Sequence, residues 1–361
     1  MFKIIGMTKL IWKLFKIILT LLLAFLMYVV IGGVVPFLHH PDVSQTKKEA
    51  VESTQFYSDS AGPDRATIIE DNEEALKMRL RVIKDAKKTL ILSTFDFRSD
   101  DAGKDVLAAL LNAADRGVKV EIFADGFNSI IQMENNDYFY ALSSNKNIKI
   151  IIYNQVNILI PWNGLGRMHD KYVIADDSLY ILGGRNTFGY FLGDYAGHKN
   201  YDRDVLVYNT GSKDSSIYQI KDYYKKITSQ KCCSVFHYNE SLGEKNSVKK
   251  AEQELKNRYE SLENKYGKFL TENYDYKANT YETNKINLLS NPTSLYAKQP
   301  TVYYGLMYLA KNAKKEVKIH TPYIICNDYM YNELKNIKVP TTIMTNSAEN
   351  NGNIFGAVDY L

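Results

Sequence analysis

The chain has 361 residues, 45% hydrophobic and 24% charged, with a formal net charge of +4. That length allows two domains with sizeable cores, the balance excludes a disordered chain, and so small a net charge does not demand a nucleic-acid partner. Cys232, Cys233 and Cys326 form no CxxC spacing and the adjacent pair does not suit a mutual bridge, which excludes a zinc site of that type and a disulfide framework.

Residues 17–35, IILTLLLAFLMYVVIGGVV, carry no charge. At 1.5 Å per residue they span about 28 Å, close to the roughly 30 Å hydrocarbon core of a bilayer. Lys3, Lys9, Lys13 and Lys16 precede the run, and Asp42 is the first charged residue after it. The positive-inside rule then predicts a cytoplasmic N-terminus and an extracytoplasmic main body. The run is long for a signal-peptide core, and VVPFLHHP offers no small-x-small cleavage site, so an uncleaved single-pass signal anchor is expected over residues 1–38.

Residues 39–65 are polar and read as a tether. An α/β alternation follows: a helix over 73–86, a buried strand TLILSTFDF over 89–97, a helix over 104–116 ended by Gly117, and the strand VKVEIFAD over 118–125. It implies a largely parallel sheet covered by helices. The alternation recurs. AKKTLILSTFDF at Ala86 is answered by AKKEVKIHTPYI at Ala313, and VKVEIFAD by VPTTIMTN at Val339. Matching order points to a tandem duplication. The expected division is a first domain over 66–240, a helical insert over 241–284 with a solvated surface helix at 251–270, and part of a second domain over 285–361.

The chemistry concentrates in MHDKYVIADDSLYILGGRN, residues 168–186. Side chains two apart on a strand share a face, so His169 and Lys171 project together while Tyr172 and Ile174 point into the packing. Asp176, Asp177 and Ser178 suit a turn, LYIL a return strand, and Gly183 and Gly184 a place where backbone approaches something closely. Asn186 follows with both a donor and an acceptor. A histidine, a fixed cation and an amide converging on one point suit an anionic substrate.

The pattern H-D-K-Y-V-I-A-D followed by G-G-R-N resembles the HxKxxxxD…GGxN signature of the phospholipase D superfamily, with His169, Lys171, Asp176, Gly183, Gly184 and Asn186 at its positions. STFDF, AALLNAADRGVKVEIFADG, GRMHDK and YDRDVLVYN extend the resemblance to the bacterial cardiolipin synthase-like branch. It implies an α/β fold of tandem phospholipase D-type domains, each a mixed, mostly parallel sheet flanked by helices, behind the transmembrane helix. It also implies phosphodiester cleavage without metal or cofactor. One motif histidine attacks phosphorus to give a phosphohistidine, and a second, from the other copy, protonates the leaving alcohol. His169 is then nucleophile or general acid, and Lys171 and Asn186 bind phosphate. Asp176 holds the motif in place. Asp204 resembles the acid that follows the glycine–asparagine segment and orients an imidazole, a part that Asp202 could take instead.

No second HxKxxxxD is present. His198, His237 and His320 lack a lysine two residues on, and His39 and His40 sit at the membrane boundary. Carried forward by the duplication, the second motif falls beyond Leu361, so the chain is expected to be a fragment holding half of an active site. A homodimer completing the site across a symmetry axis, or a non-catalytic membrane-anchored binder, are the alternatives. The anchor favours a phospholipid phosphodiester in the adjoining bilayer. A nuclease would need a basic stripe, and Arg167, Arg185 and Lys199 are too few to decide, so no nucleic acid is expected as partner.

Overall fold

The computed structural model describes residues 2–237 and 240–347, and the end of the expected second domain lies outside them. Helix α1 (Phe2–Val34) contains most of the apolar segment Leu10–Phe37, which is long and apolar enough to cross a membrane and has no buried residue in its most apolar window. Helix α2 (Gln45–Glu52) follows, then β1 (Asp64–Ile69), α3 (Asn72–Asp85), β2 (Thr89–Thr94), α4 (Asp101–Asp115) and β3 (Lys119–Asp125). Next come α5 (Gly126–Gln132), α6 (Asp137–Ser144), β4 (Ile148–Tyr153), β5 (Tyr172–Ala175), β6 (Leu179–Gly183) and β7 (Asp204–Asn209). The remainder is α7 (Ile217–Thr228), β8 (Cys233–Val235), α8 (Glu240–Gly243), α9 (Asn246–Tyr266), α10 (Lys268–Thr271), β9 (Tyr281–Glu282), α11 (Thr301–Lys311), β10 (Val317–His320), α12 (Asp328–Lys335) and β11 (Thr341–Met344).

These elements form two compact units. The first, residues 1–39, 56–288 and 293–296, is built on a mixed sheet of order β8-β4-β3-β2-β5-β6-β7-β1-β9. The parallel character implied by the helix–strand alternation is carried by β4-β3-β2, where helical crossovers join the strands. Every other pairing in this sheet is antiparallel, and a hairpin turn joins β5 to β6. Helix α3 starts where Asp71 accepts the Glu73 and Glu74 N–H groups, at 2.8 and 3.0 Å, and it buries Ala75, Leu76, Leu80 and Ile83. Helix α9 is less of a surface helix than its charges imply. Val248, Ala251, Leu255, Tyr259 and Leu262 recur at helical spacing, and all five are buried, all but Ala251 in the main core.

The second unit is residues 40–55, 289–292 and 297–361, described to residue 347. Residues 45–52, expected as part of a tether, are helical, and Val51 is buried beside Gly305 of α11. Strands β10 and β11 pair in parallel, with Val317 opposite Thr341. In the first unit Leu90 stands opposite Val120. The sequence correspondence that equates Ala86 with Ala313 and Val118 with Val339 carries one pair onto the other, so both sheets share a register. His320 lies exposed at the end of β10.

Candidate active site

The expected motif residues gather around the end of β2. His169 is exposed at its outer edge, while its ring meets the Phe95 ring edge-on with centroids 4.7 Å apart. Lys171 is buried, its Nζ donates to the His169 carbonyl at 2.7 Å, and the same Nζ lies 5.4 Å from the Phe95 ring centre. Asn186 Oδ1 accepts the Asp96 N–H at 3.3 Å. Thr187 N–H donates to the Asp96 carbonyl at 3.0 Å, in a short parallel bridge beside Phe97. Phe95 and Asp96 are therefore the hinge-point at which the two parts of the motif meet.

Electrostatics favour an uncharged imidazole. Burial of its inner side, then the positive Lys171, lower the His169 pKa to about 4. Among the described residues neither ring nitrogen has a hydrogen-bond partner. Burial lowers Lys171 to about 8, opposed by the charges of Asp170, Asp202, Asp96 and Asp125. The arrangement is an imidazole favoured in its neutral form beside a cation and an amide, open on one side.

Asp176 lies at the other end of β5. Its carboxylate accepts the N–H groups of Lys87, Lys88 and Thr89, each at 2.8 Å, and ties the hairpin turn to the start of β2. Its φ of 54° puts it in the left-handed region. Asp204 was expected to orient an imidazole, but its contacts are different: Oδ2 accepts from Arg79 at 2.9 Å and from Arg185 at 3.1 Å, with no contact to His169 among the described residues. Burial pushes this carboxyl up, and the two guanidinium groups more than offset that, holding it below the ordinary carboxylate value. Gly183 and Gly184 are required by close approach: a Cβ at the first would overlap the Asp204 carboxylate, and at the second that of Asp202.

Two contributors had no signal in the motif. Asp96 fixes Asn186 through its backbone, and its carboxylate pairs with Arg98 at 2.6 Å. Asp125 accepts from the N–H groups of Met168 at 3.0 Å and Phe127 at 2.9 Å, and pairs with Arg167 at 3.3 Å. Among the described residues no group of three or more His, Cys, Asp or Glu side chains is placed to hold a metal ion.

His169 and Lys171 immediately precede β5 instead of lying on the expected strand, and the turn after Gly183 and Gly184 brings Asn186 to the same end of β2, the arrangement that the HxKxxxxD…GGxN resemblance implies. Residues 80–227 match the family of cardiolipin synthase phospholipase D-like domains, so the chain carries a phospholipase D-like domain. An uncharacterized protein of Helicobacter pylori is 27% identical over 309 residues, covering 78% of this chain and 59% of that protein. Cardiolipin synthase B of Salmonella typhi is 31% identical over 142 residues, 39% of this chain and 34% of that enzyme. The chain thus spans less than two thirds of these relatives. Phosphatidylserine synthase of Haemophilus influenzae shares the fold, with a TM-score of 0.54 at 15% identity over 87% of this chain and 71% of that one. Members of the superfamily are phosphodiesterases and phosphatidyltransferases.

Proposed function

We propose that the chain is the membrane-anchored, catalytic part of an enzyme that cleaves phospholipid phosphodiesters, by hydrolysis or phosphatidyl transfer as in cardiolipin synthesis. The observation that carries this reading is the open His169 imidazole, with no hydrogen-bond partner at either nitrogen among the described residues, next to the buried Lys171 whose Nζ is held on the His169 carbonyl. A lone pair on the imidazole attacks phosphorus while the bond from phosphorus to the leaving alkoxide breaks, giving a phosphohistidine. A second motif histidine, from further along a longer chain or less readily from a second copy, gives the alkoxide its proton. Water or an alcohol then attacks phosphorus, loses its proton to that second histidine, and returns His169 to its free form. Lys171 neutralises one phosphate oxygen, and Asn186 hydrogen-bonds another through its amide nitrogen.

The three nearby cations do not form a basic stripe for nucleic acid. Arg185 is fully buried against Asp204, Arg167 pairs with Asp125, and Lys199 Nζ is held by the carbonyls of Gly189 and Gly193. The apolar Leu10–Phe37 segment supports a lipid substrate. The test is a His169→Ala variant of the full gene product in phosphatidylglycerol vesicles. Loss of His169-dependent phosphodiester cleavage, with loss of acid-labile phosphate on the protein, is expected; undiminished cleavage would overturn the assignment.

A further inference from the structure

We propose that helix α5 and the loop over residues 157–165, which flank the segment leading to His169, together form a docking surface for the lipid bilayer. The inference rests on the lipid reading above and adds where the catalytic body meets the membrane.

Phe127 and Ile131 of α5 are 50% and 56% exposed, and Ile158, Leu159 and Leu165 of the loop are 58%, 64% and 56% exposed. Scattered exposed apolar residues need no explanation, but these belong to one assembly. Asp125 caps α5 through Phe127 N–H and also holds Met168 N–H, one residue before His169. Asn154 Nδ2 donates to the carbonyls of Asn163 and Gly166, both at 2.7 Å, which fixes the end of the loop. The Asn154 carbonyl in turn abuts Gly126, where a Cβ would overlap it. Helix, loop and nucleophile therefore hang from one buried scaffold.

The occupant follows from what the loop touches and what it lacks. Tyr28 of α1 donates its hydroxyl to the Leu159 carbonyl at 2.9 Å, and its ring meets Trp162 edge-on at 6.5 Å. Gly32 leaves room for Pro161, whose Cγ would stand 2.7 Å from a Cβ there. The loop thus packs against the C-terminal third of the membrane-spanning segment, which places it where the lipid is. In a chain that is 24% charged, residues 126–133 and 154–166 carry no charge, so insertion strips water from no ion. A soluble protein partner would leave the contact with α1 without a purpose.

The chain's two tryptophans, Trp12 and Trp162, make the test direct. Full-length protein carrying Trp12→Phe, Trp162→Phe and Phe127→Trp is reconstituted in phosphatidylcholine–phosphatidylglycerol vesicles with acyl chains brominated near the headgroup. The indole at position 127 is expected to be blue-shifted and quenched, and Ile131→Asp with Leu165→Asp to abolish the quenching. The same pair, with native tryptophans, raises KM for vesicle phospholipid severalfold and leaves cleavage of a water-soluble phosphodiester unchanged. An unquenched, water-like emission at position 127 overturns the docking surface even where the soluble phosphodiester is cleaved. Quenching without any His169-dependent cleavage leaves the surface standing and removes the catalytic reading instead.

Discussion

The Asp125 carboxylate accepts the Met168 N–H at 3.0 Å, joining the end of β3 to the residue before His169. It is a fully buried acid whose pKa burial pushes up, and Arg167 and three backbone N–H groups counter that push. Removing it strands the Arg167 charge and leaves backbone donors unpaired. Asp125→Ala is therefore expected to destabilise the first unit by about 3–5 kcal/mol in urea unfolding. Asp125→Asn keeps an acceptor and is expected to lose less stability, but to lower kcat as His169 loses its fixed approach. Equal stability and activity for wild type and Asp125→Ala would show that the contact positions nothing.

The titrations of His169 and Lys171 are expected to set the pH range of the reaction. Free His169 is deprotonated above about 4, and Lys171 keeps its proton below about 8. A bell-shaped kcat/KM profile with limbs near those values follows, in place of an acid limb near the ordinary histidine value. The stability consequence has a definite sign. Between the unfolded histidine value of about 6.5 and the folded value, the unfolded chain binds a proton that the folded chain does not, so stability declines as pH falls through that window. An acid limb that stays near 6.5 would show that the imidazole is not desolvated.

Asp204 separates a structural from a catalytic role. Its pairing with Arg79 and Arg185 predicts that Asp204→Ala costs about 3–5 kcal/mol by leaving buried guanidinium groups unpaired. Because its pKa is held down in the folded state, its contribution is present above the ordinary carboxylate value and is lost as pH falls through the lowered one. The expected signature of Asp204→Asn is a lower unfolding midpoint with the acid limb of kcat/KM unmoved. A shifted limb would restore the imidazole-orienting role.

Asp176 combines three accepted N–H groups with a left-handed backbone. Asp176→Ala is expected to lose at least about 1.5–3 kcal/mol from the charge-assisted bonds. Asp176→Gly loses the same bonds but relieves the backbone, and is expected to be about 1 kcal/mol better than alanine. Thermal unfolding of both variants measures the difference, and alanine equal to glycine would mean that the backbone carries no cost there.

What was legible in the sequence was local. His169, Lys171 and Asn186 lie within 18 residues, so a hairpin and a glycine pair bring them to one end of β2, although the strand expected to carry His169 and Lys171 begins only at Tyr172. The duplication was legible because it repeats element order, and the matched pairs Leu90–Val120 and Val317–Thr341 carry it into register. Asp96 and Asp125 were not, since each acts on a residue more than 40 positions away and acidic strand ends are common. The orienting part expected of Asp204 came from its place after the motif, and nothing local revealed that Arg79 lies opposite. Helix α2 is eight residues of polar sequence whose packing depends mostly on Val51, too little periodicity to distinguish it from a tether.

The Arg79–Asp204–Arg185 cluster also bears on how this sequence can drift. Arg185 occupies the motif's unrestricted position, yet here it is fully buried, and it holds the carbonyls of Ile69 and Glu70 as well as Asp204. No single substitution among the three is neutral, because each leaves an uncompensated charge in a dry interior. In relatives the three sites should therefore change as a set, with an apolar residue at the arginine position accompanied by loss of the acid. The letter x in a signature can thus conceal a position as constrained as the named ones, bound to Asp204 nearby in the chain and to the carbonyls of distant Ile69 and Glu70 rather than to the substrate.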